Sequence, residues 1–152
     1  ERLEGLRAGY AVAESAVRDF RSESGCKEEI FIAADFGPVG ENDEQGTEEV
    51  LDNYRRMCDV FLDCGARVFV FESQRDDKYL GALADYIKEK CPDSFVLVQF
   101  TFDRSGYTRA GLSVRRVNER MAHPQMASVD AYGYNCGVEA GHLLQLLQGQ
   151  QP

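Results

Sequence analysis

Ser128-Val129-Asp130-Ala131-Tyr132-Gly133-Tyr134-Asn135-Cys136-Gly137 is a β-prone run that stops abruptly on two polar residues. Val129 to Tyr134 reads as a short buried strand that delivers Asn135 and Cys136 at its carboxyl end. An amphipathic segment from Val138 to about Leu147 follows at once, with Leu143, Leu144, Leu146 and Leu147 on its apolar side. Strand passing directly into helix is the βα step of a parallel sheet, where ligands and reacting groups gather beyond the strand carboxyl ends. A cysteine just past the apolar run therefore stands where chemistry takes place.

The same step recurs upstream. Phe95 to Thr101 is an apolar strand that runs into the polar, glycine-containing loop Phe102 to Gly111, and a modest helix follows from Ser113 to about Met121. Ala66 to Phe71 is a strand ending at Glu72-Ser73, and a helix follows from about Asp76 to Lys90, stopped by Pro92. Glu29 to Asp35 is a strand closed by Phe36-Gly37-Pro38-Val39-Gly40, and the acidic stretch Glu41 to Gln45 reads as a solvated loop. Thr47 is placed to cap the next helix, Glu48 and Glu49 suit its positive end, and Gly65 stops it. Leu3, Leu6, Tyr10, Ala13, Val17 and Phe20 form one stripe of an opening helix. The order is α-βα-βα-βα-βα, with strand starts roughly 30–40 residues apart, the length of one βα unit. Near-continuous apolar strands predict burial on both faces and hence an α/β fold with a parallel sheet.

Composition narrows the partners. A net charge of −9 argues against a nucleic-acid backbone or an anionic membrane surface, and no apolar run approaches the ~20 residues of a membrane span. The 43% apolar and 28% charged fractions are those of a globular domain. Five cysteines, at 26, 58, 64, 91 and 136, have no disulfide-framework spacing, so a reducing cytoplasm is the expected compartment. The chain opens at Glu1 inside a helix already under way and stops at Gln-Gln-Pro152 after another, as expected of a segment of a longer protein.

Four stretches then combine: Ala34-Asp-Phe-Gly-Pro38, Val68-Phe-Val-Phe-Glu72-Ser73, Thr101-Phe-Asp-Arg-Ser-Gly106-Tyr-Thr108-Arg-Ala-Gly111 and Asp130-Ala-Tyr-Gly-Tyr-Asn135-Cys136. In order and spacing the chain resembles the homocysteine S-methyltransferase domain of methionine synthases and betaine-dependent methyltransferases, across nearly all of residues 1–152. The resemblance implies a (β/α)8 TIM barrel, of which these stretches would be about strands three to six. It implies methyl transfer to zinc-activated homocysteine to give methionine, from a methylcobalamin, methylfolate, S-methylmethionine or betaine donor. Cys136 would be one of three thiolate ligands to zinc, since coordination deprotonates a thiol of pKa ~8.5. Glu72 would bind the homocysteine ammonium and Asn135 would help to position substrate or zinc ligands. The Gly106–Gly111 loop would shape the mouth facing the donor.

The family's opening Asp-Gly strand and its late paired cysteines are not in this chain, and the family's Glu-Thr is Glu72-Ser73 here. The isolated chain is accordingly expected to be inactive and to need the remaining barrel segments or self-association, because half a barrel leaves unpaired strand edges. Two other readings stand beside this one: a non-catalytic half-barrel interaction module, and a complete flavodoxin-like open sheet. Read alone, Cys136 fits a small buried hydrophobe, Glu72 a solvated strand-end carboxylate, and His123 and His142 a loop and a helix-face residue. Cys58 and Cys64 lie about 240° apart around one helix, too far round to share a metal. Gly37-Pro-Val-Gly40 lacks the lysine of a phosphate loop.

Overall fold

The computed structural model describes residues 2–40 and 46–148. Helix α1 (Arg2–Ser24) precedes four βα units: β1 (Ala33–Phe36) and α2 (Thr47–Asp63), β2 (Val68–Gln74) and α3 (Leu80–Lys90), β3 (Phe95–Phe100) and α4 (Val114–Met121), β4 (Ala131–Tyr134) and α5 (Ala140–Gln148). A short 3₁₀ turn (Pro124–Met126) sits between α4 and β4. The acidic 41–45 stretch and the last four residues lie outside the described residues.

All strands pair in parallel and in sequence order, β1-β2-β3-β4. A strand–helix–strand crossover is right-handed, so consecutive neighbours added in one direction put every crossover helix on the same face. That order excludes the flavodoxin-like alternative, in which the strand order reverses and helices cover both faces. The chain is an arc of βα units, part of a barrel.

Burial follows from this. Register sets Ala34 beside Phe69 and Val96, and Phe36 beside Phe71 and Val98, all of them buried. They form one core with Val50, Leu51, Cys58 and Phe61 of α2, Leu80, Leu83, Ala84 and Ile87 of α3, and Val114, Val117 and Met121 of α4. Phe36 stacks on Phe71 at 4.9 Å and meets the edge of Phe61 at 5.5 Å. The alternate residues Asp35, Val70, Glu72, Leu97 and Gln99 point to the other face, and each is half-buried or exposed. The expectation of burial on both faces therefore fails for this chain: no helix lies on the second face among the described residues, so each strand alternates. Nor is the β4 stretch buried, since it is an edge strand with Tyr132 exposed.

Several boundaries also move. Thr47 is the first residue of α2 rather than its cap; Gly46 occupies the N-cap without a side-chain hydrogen bond. Helix α3 starts at Leu80 because Asp76 takes the Lys78 amide in a turn (3.1 Å). Ser113, read from sequence as the first residue of its helix, is instead the N-cap of α4, accepting from Arg116 N at 3.2 Å. Gly65, at φ 92°, ends α2 with paired bonds from Gly65 N to Leu62 O and from Ala66 N to Phe61 O, both 2.9 Å. At the amino ends of β3 and β4, Asp130 accepts from Val96 N at 2.7 Å and pairs with Lys88 at 2.8 Å.

Candidate active site

The strand carboxyl ends form one rim, where side chains tie the exits together. Asn135 N extends the β3–β4 ladder by donating to Phe100 O at 3.0 Å. The Asn135 side chain then reaches the end of β2: its Oδ1 accepts from Ser73 N at 3.1 Å, and its Nδ2 donates to Ser73 Oγ at 3.2 Å and to Glu72 Oε2 at 3.4 Å. Three of the residues singled out from sequence, Glu72, Ser73 and Asn135, are thus in contact, and Cys136, an exposed residue, is next in the chain.

Backbone conformation marks the same place. Ser73 (φ 55°) and Cys136 (φ 54°) are the non-glycine residues at positive φ among the described residues. Such conformations cost of order 1–3 kcal/mol each and persist where the surroundings over-determine them. After Cys136 the chain makes a γ-turn, with Val138 N donating to Cys136 O at 2.8 Å around Gly137 at φ 72°. Gly137 lies so close to the end of β3 that an added Cβ would come within 2.1 Å of Phe102 O and 2.6 Å of Thr101 Oγ1.

Gln74 belongs to this rim and was not legible as a functional residue. The β2–β3 register shifts between Phe71 and Gln74, so that Glu72 and Ser73 together stand opposite the single residue Gln99. Simple alternation would put Gln74 on the open face with Glu72; the bulge turns it into the core, 1% exposed. There its Nε2 donates to Gly37 O (3.0 Å) and Glu72 O (2.9 Å), and its Oε1 accepts from Val39 N (3.0 Å). The Gly37-Pro38 turn is in this way fastened to the end of β2. Asp35, two residues before that turn on the open face, has its carboxyl pushed above the usual range by partial burial and by the Glu72 charge.

The β3–α4 loop is ordered by its own polar residues. Asp103 Oδ1 accepts from Ser105 Oγ (2.6 Å), Ser105 N (2.9 Å) and Tyr107 N (3.2 Å), and these bonds, led by that from the Ser105 hydroxyl, hold its carboxyl below the usual range. Buried Thr108 accepts from Leu112 N at 3.2 Å. Between this loop and the start of α5 an open groove of about 670 Å³ is lined by Arg104, Gly137, Val138, Glu139 and His142. His142 Nε2 lies 3.0 Å from Arg104 O, a loop-to-helix hydrogen bond, while His123 accepts from Gln125 N at 3.3 Å and caps the 3₁₀ turn.

Among the described residues no three His, Cys, Asp or Glu side chains converge where a metal could sit. Cys58 is buried in α2, where burial and then Asp59 push its thiol up to about 12. Cys136 is the one exposed cysteine. A zinc site takes three or four protein ligands, so the described residues do not by themselves fit zinc.

A parallel βα arc with polar side chains gathered at its carboxyl rim defines a segment of an enzyme-type (β/α) barrel. The model of the homocysteine S-methyltransferase family matches residues 1–151, and the chain belongs to that family. Among solved structures it is similar to the homocysteine methyltransferase MmuM from Escherichia coli. The apo form aligns with a TM-score of 0.74 at 23% identity, over 99% of this chain and 56% of that one. The metallated form aligns with a TM-score of 0.71 at 22% identity, over 96% of this chain and 54% of that one. The chain thus spans about half the length of these structures, and at such identities the likeness shows the fold. No curated protein matches it.

Proposed function

We propose that this chain carries the homocysteine-binding rim of a zinc-dependent S-methyltransferase, in which a methyl group passes to the homocysteine sulfur to give methionine. The observation that supports this most directly is the joining of Glu72, Ser73 and Asn135, the last of them adjacent in the chain to Cys136, at the strand carboxyl ends of a chain of this family. Glu72 would receive the substrate ammonium in charge-assisted hydrogen bonds. Asn135 borders the same site. Cys136 would give one thiolate to a zinc site whose other ligands lie outside the described residues, so this chain's own part is to bind and orient. The methyl donor on this reading is a cobalamin, folate, S-methylmethionine or betaine compound, and the compartment is the cytoplasm.

Cys136→Ala in the full-length protein tests the reading. Loss of bound zinc together with loss of homocysteine-dependent methionine formation is expected. Retention of both removes Cys136 from the site.

Among the described residues one sheet face is uncovered and the outer edges of β1 and β4 are unpaired, which favours association as well. On this reading they are covered by the remaining barrel strands or a second copy. A well-folded monomer of residues 1–152 by sedimentation would contradict it.

A further inference from the structure

We infer that Asn135 is a positioning residue that holds the Glu72–Ser73 bulge against the end of β4, rather than a group that contacts substrate; the functional side of this rests on the homocysteine reading above. Strands β2 and β4 are not neighbours, since β3 lies between them and no backbone ladder joins them. The Asn135 side chain spans that gap at the rim.

The bulge explains why a link is needed there. An extra residue in a strand leaves its backbone groups without ladder partners. At Ser73 the orphaned N–H is taken by Asn135 Oδ1 at 3.1 Å. That bond also fixes which way the amide faces: a backbone N–H can only donate, so the oxygen must point to Ser73. Nδ2 then faces the Ser73 hydroxyl and the Glu72 carboxylate, and both of its hydrogens are engaged within the chain. The geometry is that of a clasp. It keeps Ser73 in its left-handed conformation, which leaves Glu72 on the open face while Gln74 turns into the core.

The test uses the full-length protein and two substitutions. Asn135→Asp keeps the acceptor for Ser73 N but sets a second carboxylate against Glu72, and should raise the homocysteine KM at least tenfold while the fold persists. Asn135→Ala removes the acceptor, and should speed amide hydrogen exchange at Ser73 at least tenfold. In a Glu72→Gln background, Asn135→Ala should add less than threefold to KM, because its effect passes through Glu72. Multiplying effects on KM, or a wild-type KM in Asn135→Asp, would mark Asn135 as something other than a positioning residue. Unchanged Ser73 exchange in Asn135→Ala overturns the clasp whatever the substrate. A Glu72→Gln protein with unaltered homocysteine KM instead overturns the substrate reading, and the Ser73 exchange still decides the clasp.

Discussion

Replacing Gly137 by alanine probes how closely the β4 exit packs on the β3 exit. Two effects combine. An L-residue in the left-handed region, here at φ 72°, costs roughly 1–2 kcal/mol. The added Cβ would also lie 2.1 Å from Phe102 O, well inside the roughly 3.3 Å of a close C···O contact. Carbonyl backbone cannot swing aside as a side-chain tip can, so this overpacking adds about 1–3 kcal/mol. The sum, about 2–5 kcal/mol, is a large part of the roughly 5–15 kcal/mol by which a domain is stable. Gly65 is the matched control: it has φ 92° with nothing within 4 Å of an added Cβ. Gly65→Ala should show the conformational cost alone. Equilibrium urea denaturation separates the two, because at an m-value of about 1–3 kcal/mol/M the extra loss moves the midpoint by roughly 1 M. Equal midpoints for the two variants would refute the argument that Gly137 serves close approach.

Thiol chemistry and pH dependence supply further checks. With metal chelated, an uncharged alkylating reagent should modify exposed Cys136 first and Cys58 last, the latter only on denaturation. Raised from an ordinary 9.0 to about 12, the Cys58 thiol has on the order of a thousandfold less thiolate at neutral pH than an unperturbed one; mass mapping that finds Cys58 labelled early would contradict its burial. The raised Asp35 carboxyl favours protonation in the folded state, so its ionisation opposes folding at neutral pH. The penalty is absent below the unfolded value of ~3.9 and complete above the raised folded value. Asp35→Asn should therefore stabilise the protein at pH 7 by less than about 1 kcal/mol, the carboxyl being exposed and screened, with no gain at pH 3. A gain of the same size at both pH values would rule out the electrostatic cause.

Much of the arc can be read in one dimension. Apolar runs ending at Glu72-Ser73, Thr101 and Asn135-Cys136, each followed by a helix-period segment, are local signals, because strand and helix periodicities are local. Gly65 as a stop follows from the same short-range chemistry. Thr47 shows where that reach ends: Gly and Thr adjoin at the start of α2, and composition cannot choose between them. Gln74 shows it more sharply, since one extra residue between Phe71 and Gln74 moves a side chain from the open face to the core.

By itself, then, the sequence determined the α/β order, the parallel pairing and the polar residues that end each strand. It did so because burial and helix periodicity are written in residues a few positions apart. The tertiary structure alone decided that one sheet face is left open among the described residues, since that depends on the direction in which successive strands add. It alone also joined Asn135 to Ser73, 62 residues away, and to Glu72. That contact depends on a bulge, a register and a span across β3. None of these has a local signature, and all of them exist only once the strands have been laid side by side.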